Sequence, residues 1–268
     1  MVNPTNGNAS APSRPRIEVR DLTMAFGNFM LMRDLNFTVN EGDVFIIMGA
    51  SGCGKSTLLR HLIGLLEPAK GDILYDGASF TAAPPEQRER MLRRFGILYQ
   101  SGALFSSLTL AENIALPLGE FTDLAPDEIR AVASLKLALV GLKGFEDFYP
   151  SQISGGMQKR AGLARAMALD PDILFFDEPS AGLDPISSRL LDDLILELRD
   201  SLGTTIVVVT HELASIFAIG NNCIFLDVET RTAIAHGEPR QLRDHSDQSA
   251  VRRFLTRGDD HAEEVHYG

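Results

Sequence analysis

Residues 49–56 read GASGCGKS, after the apolar run VFIIMG (44–49) and before KSTLLRHLIGLL (55–66). The octet matches the phosphate-loop pattern G-x-x-x-x-G-K-[ST] in the strand–loop–helix setting that gives the pattern its meaning. The flanks agree with it. VFIIMG is apolar at every position, as expected of a central parallel strand covered on both faces. Leu58, Leu59, Leu62, Ile63 and Leu66 recur at helical spacing. Glycines at 49, 52 and 54 let main-chain N–H groups close around phosphates. Lys55 is expected to place a point charge on the β- and γ-phosphates, and Ser56 a hydroxyl on Mg²⁺. Gly49, Ala50, Ser51, Gly52, Cys53, Gly54 and Thr57 complete the expected nucleotide cradle. Cys53, near a helix N-terminus, reads either as a thiol with thiolate character or as a small filler.

The rest of the chain alternates apolar strands with helices, which predicts an α/β fold with a mainly parallel sheet. IEVRDLTMAF (17–26), LNFTV (35–39) and GDILYDG (71–77) read as strands, and PEQRERMLRRF (85–95) as a charged helix. GILYQ (96–100), DILFFDE (172–178), TTIVVVTH (204–211) and CIFLD (223–227) read as further central strands, and ISSRLLDDLILELRD (186–200) as an amphipathic helix. Between Ser101 and Gln152 the pattern turns helical, indicating an insert. Ligands of such sheets bind beyond the carboxyl ends of the strands, where the glycine loop, Asp177, Glu178 and His211 all fall.

Those residues suggest hydrolysis. Asp177 is expected to hold Mg²⁺ through water, and Glu178 to act as general base on the attacking water. His211 would contact the γ-phosphate and orient Glu178, although a lone histidine there is more often structural. Gln100, read as ending its strand, would reach Mg²⁺ and the attacking water. Phe26 reads either as a stacking platform for a base or as an edge-strand core residue.

Composition narrows the partners. The net charge of −11 disfavours nonspecific nucleic-acid binding. The longest apolar runs, VFIIMGA (44–50) and IVVV (206–209), fall short of the roughly 18 residues that span a bilayer. Two cysteines make no disulfide framework, and the N-terminus lacks an apolar signal core, so a cytosolic setting is expected.

A second anion-binding signal stands at ISGGMQKR (153–160), a glycine pair opening a basic helix. Together the phosphate loop 49–56, Gln100, SGGM (154–157), LFFDEP (174–179), AGLD (181–184) and TH (210–211) resemble, in order and spacing, the ATPase subunit of ABC transporters over about residues 17–240. The usual signature LSGGQ differs at its first and last positions, here Ile153 and Met157. The resemblance implies a P-loop NTPase of ABC type with a RecA-like core, an antiparallel β subdomain and a helical signature subdomain at about 101–168. It places that domain at 16–245, between a lead at 1–15 and a C-terminal helix with an acidic tail at 246–268. It also implies a head-to-tail dimer with a second copy, in which Ser154, Gly155, Gly156 and Asp184 of one chain meet ATP held by the other. QSGALFSSLTLAENIALPL (100–118), DEPSAGLDPISS (177–188) and VRRFL (251–255) are similar to the Mla-type subfamily. That likeness implies phospholipid transport between inner and outer membranes from the cytoplasmic face of the inner membrane. Its implied partners are transmembrane permease subunits, a lipid-binding protein of the mammalian-cell-entry type and a STAS-domain subunit, with an ATPase for a polar solute such as an amino acid as the competing reading. SGALF (101–105) would help form the permease groove, or would be core. The tail 257–268, with His261 and His266, reads as solvated rather than metal-binding.

Overall fold

The phosphate-loop strand lies inside the larger of two sheets. The computed structural model of the chain describes residues 14–257. Most of the lead and the acidic tail beyond Arg257 therefore lie outside the described residues. Strands β1 (Pro15–Phe26) and β2 (Phe29–Asn40) form a long antiparallel hairpin, followed by β3 (Val44–Gly49) and helix α1 (Lys55–Leu62). β4 (Lys70–Tyr75) pairs with β1, and β5 (Ala78–Ser79) with β4, completing a four-stranded antiparallel sheet in the order β2-β1-β4-β5. Next come α2 (Pro85–Leu92), β6 (Phe95–Leu98), α3 (Leu110–Phe121), α4 (Pro126–Leu139) and α5 (Gly155–Ala166). The chain then alternates through β7 (Ile173–Asp177), α6 (Pro185–Leu202), β8 (Thr205–Val209), α7 (Leu213–Ile219) and β9 (Asn222–Asp227). It closes with β10 (Thr232–Gly237), α8 (Pro239–His245) and α9 (Ser249–Leu255). The second sheet runs β10-β9-β3-β8-β7-β6 and is parallel except for β10.

The two faces of β3 explain its unbroken apolar sequence. Val44, Ile46 and Met48 join a core built with α3 to α7, while Phe45 and Ile47 join a core shared with α1 and the four-stranded sheet. Side chains alternate across a strand, so a strand covered on both sides needs an apolar residue at every position. Ile47 and Asp177 both register with Val209, so the ends of three parallel strands share one edge of the sheet. That edge carries the site.

Several boundaries differ from the sequence reading. α1 stops at Leu62, because Gly64 turns left-handed (φ +75°) and Leu65 is left exposed. Phe95 opens β6 instead of closing α2, and its ring packs against Tyr75 and Phe175. Gln100 therefore lies two residues beyond the strand, in the loop that leads to the helices.

Candidate active site

At the carboxyl edge of the sheet is a cavity of about 800 Å³ lined by the phosphate loop, Phe26, Gln100, Glu178 and His211. Glycine is required where the loop leaves β3. Gly49 has φ +147°, and a Cβ there would lie 2.4 Å from the Leu226 carbonyl oxygen and 2.8 Å from Cys53 Sγ. Gly54, at φ +98°, caps α1 and meets Leu31, with only 3.0 Å left for a Cβ. Lys55 is 8% exposed, and its Nζ donates to the carbonyls of Gly49 (3.0 Å) and Ala50 (3.1 Å). An ammonium has three N–H groups, so one is left to meet an anion.

Ser56 Oγ donates to Asp177 Oδ1 at 2.9 Å, joining the start of α1 to the end of β7. A hydroxyl and a carboxylate in contact, with Gln100 lining the same cavity, offer an all-oxygen donor set. Such a set suits Mg²⁺, which takes few protein ligands and keeps several waters.

Glu178 is held from several sides. Its backbone is left-handed (φ +48°), a conformation rare for a residue with a side chain. Its N–H donates to Val209 O at 2.8 Å, and its carbonyl accepts from Ala181 N at 3.1 Å. Oε1 accepts a 2.8 Å hydrogen bond from His211 Nδ1, which fixes the imidazole proton on that nitrogen because a carboxylate only accepts. Oε2 is buried and has no hydrogen-bond partner among the described residues. Glu178 lines the cavity, and a carboxylate held in place at a cavity wall can orient and deprotonate a water.

Other expected residues are placed as follows. Phe26 is 52% exposed and faces the cavity, which overturns the edge-core reading. Cys53 is 1% exposed, its sulfur packs under Gly49, and burial pushes the thiol's pKa up. The expectation of thiolate character fails there, because desolvation outweighs the attraction of Lys55. Ser154, Gly155, Gly156 and Asp184 are not on this cavity. They lie at the starts of α5 and α6, which pack together: a Cβ on Gly156 would sit 3.3 Å from Ser187 Oγ. Ser154 Oγ caps α5 by accepting from Met157 N at 3.3 Å. Asp184 caps α6, and its bonds to the Ser187 hydroxyl and to main-chain amides hold its carboxyl below the usual range.

Leu31, Leu213, Phe254 and Arg257 also line the cavity, although sequence reasoning gave them no place there. Phe254 arrives on α9 and Arg257 in the turn just past it; Val251 and Leu255 of α9 are buried in the core, and Phe254 packs edge-on against Phe225. Nothing local in the sequence marks that approach.

Residues 32–181 match the sequence profile of the family described as ABC transporter. The chain is 41% identical over 244 residues to the "Probable ribonucleotide transport ATP-binding protein mkl" of Mycobacterium bovis, covering 91% of this chain and 67% of that protein. It is 39% identical over 239 residues to the "Intermembrane phospholipid transport system ATP-binding protein MlaF" of Escherichia coli, covering 89% and 88%. Among solved structures it is similar to cbiO1 from Clostridium perfringens, described as part of the ABC transporter complex cbiONQ, with a TM-score of 0.79 at 26% identity over 87% of this chain and 92% of that one. It is also similar to the dimeric post-hydrolysis state of the ATP-binding cassette MJ0796 bound to ADP and Pi, with a TM-score of 0.74 at 28% identity over 83% and 98%. A profile spanning more than half of the sequence agrees with a phosphate loop and a histidine-held glutamate on one sheet edge: the chain belongs to the ABC transporter family, as one of its ATP-hydrolysing cassettes.

Proposed function

We propose that this cassette powers phospholipid transport between the inner and outer membranes, as a peripheral subunit on the cytoplasmic face of the inner membrane. The observation that carries the substrate class is the extent of the match to MlaF, 88% of the relative's length in Escherichia coli and again in Haemophilus influenzae. Among the described residues no helix is long and apolar enough to cross a membrane. Permease subunits must then supply the path. Phe105, 57% exposed, borders an apolar cavity of about 450 Å³ with Leu92, Leu116 and Phe121, which suits a coupling helix of such a permease. A lipid-binding protein of the mammalian-cell-entry type and a STAS-domain regulator complete the proposed assembly.

ATP enters with its base on Phe26 and its phosphates among the amides of Gly49–Thr57, with Lys55 on the β- and γ-phosphates. Ser56, Gln100 and Asp177 would hold Mg²⁺, which supplies charge neutralisation to the phosphates when bound. Glu178, on the cavity wall, orients the attacking water and takes a proton from it, while His211 holds its Oε1. Ser154, Gly155, Gly156 and Asp184 serve the nucleotide of a second copy. The exposed start of α5 offers unpaired N–H groups to its γ-phosphate. ATP shared between two chains stabilises their closed dimer, and hydrolysis releases it.

The mkl relatives favour a second reading, transport of ribonucleotides, a polar solute as an amino acid would be. The chain spans 67% to 71% of those proteins, against 88% of MlaF. Purifying the chain with its membrane partners decides between them. Phospholipid recovered in stoichiometric amount with the complex is the expected result. A complex free of lipid that takes up nucleotide or amino acid would replace the lipid reading.

A further inference from the structure

All three basic side chains of α5 donate to main-chain oxygens instead of carboxylates, Arg160 to the Val140 carbonyl at 3.0 Å. Lys159 is 7% exposed; its Nζ donates to the Gln100 carbonyl and lies 3.5 Å from the Glu178 carbonyl oxygen. Arg165 donates to the carbonyls of Ala103 (2.8 Å) and Gly102 (3.2 Å). Between them on the helix Gly162 lets the loop come close, since a Cβ there would sit 3.0 Å from Gly102 O and from Leu98 Cδ1. The loop after β6 therefore rides on the signature helix, with its carbonyls engaged from one side. Glu178 comes from β7, a different element, and Lys159 reaches both.

We propose that Lys159 is a positioning residue for hydrolysis: its ammonium joins α5 and the Gln100 loop to the backbone of Glu178, so that the aim of the carboxylate follows the position of the helix. The inference rests on the reading of Glu178 as general base. A left-handed glutamate is strained and keeps its conformation only when its surroundings impose it. Val209 O holds its N–H, while Ala181 N and Lys159 face its carbonyl. At 3.5 Å the lysine contact is long for a hydrogen bond, but a full charge beside a carbonyl dipole in a buried setting still attracts. Burial lowers the lysine's pKa, and the charge of Glu178 opposes that shift. Lys159 forms no ion pair among the described residues, and its direct partners are carbonyl dipoles. A small shift of α5 would move that charge, and with it the peptide that carries Glu178.

The test uses the assembled transporter with Lys159→Met, which keeps the length and removes the donors, and Lys159→Arg, which keeps charge and donors. Lys159→Met is expected to lower kcat about 10- to 100-fold with KM for ATP within about 3-fold, because the lost interaction orients a reacting group without contacting substrate. Lys159→Arg is expected to recover a substantial part of kcat. The proposal fails if Lys159→Met turns over at the wild-type rate, if its loss merely tracks a lower folded fraction in thermal unfolding, or if the two variants are equally impaired. Glu178→Gln in the same assay separates the failures. A fully active Glu178→Gln sinks the reading of Glu178 itself, whereas an inactive Glu178→Gln beside a normal Lys159→Met sinks only the role of the lysine.

Discussion

In the proposed role of general base, Glu178 is suited by being held at the cavity wall. His211 occupies Oε1 at 2.8 Å, and Oε2 is left buried without a partner. Replacing the carboxylate by an amide keeps the shape and removes the base. Glu178→Gln should bind ATP within a few-fold of wild type and lose at least about 100-fold in hydrolysis, the scale of one general base. Closed dimers should accumulate with ATP, which size-exclusion chromatography with and without nucleotide will show. Wild-type turnover by this variant would remove Glu178 from its role. Cys53 teaches a different lesson at the same scale. A helix N-terminus lowers a thiol's pKa only when water or charge can support the thiolate, and under Gly49 the sulfur is 1% exposed.

Among the elements, α3 governs the surface expected to meet the membrane partner. Its start is a reciprocal cap: Glu112 N donates to Thr109 Oγ1 (3.2 Å) and Thr109 N to Glu112 Oε2 (2.7 Å). One residue on, the fully buried Asn113 clamps the preceding loop. Its Oδ1 accepts from Phe105 N at 2.7 Å, and its Nδ2 faces the carbonyls of Phe105, Leu108 and Thr109 at 2.9 to 3.2 Å. Phe105 can therefore stay exposed without its loop being loose. Asn113→Ala would leave Phe105 N–H and the Leu108 carbonyl without their partner, at about 1–3 kcal/mol by the usual cost of such groups. Urea unfolding measures that loss, and a change below about 0.5 kcal/mol, the level of an ordinary surface substitution, would show that the clamp is dispensable. The helical character of this region was legible from its composition. The clamp was not, because the asparagine is matched to carbonyls by the path of the loop and not by any spacing rule.

For the whole molecule, the separation of the phosphate loop from the glycine pair that opens α5 matters most. Ser154 and Asp184 are exposed and lie off the chain's own cavity, so by this reading a complete site needs two chains. Turnover per chain should then rise with protein concentration. Ser154→Arg should lower turnover at least about 100-fold, since it puts bulk and charge at the proposed contact with the other chain's phosphate. It should leave ATP binding by the single chain nearly unchanged in equilibrium titration. Concentration-independent turnover, unaffected by Ser154→Arg, would contradict the shared site.

Much of this site was written in consecutive residues. GASGCGKS carries its own turn geometry, the apolar runs around it define a doubly covered strand, and LFFDE and TH mark strand ends by local pattern. Backbone conformation and hydrophobic periodicity act over a few residues, so a linear reading recovers them. The tertiary structure alone decided which side chains meet. Ser56 and Asp177, 121 positions apart, touch because two parallel strands end at one edge. The exposure of Phe26, the burial of Cys53, the reach of Lys159 to Gln100 and Glu178, and the arrival of Phe254 at the cavity have the same origin. Each depends on burial or contact between distant segments, and burial belongs to the packed chain as a whole.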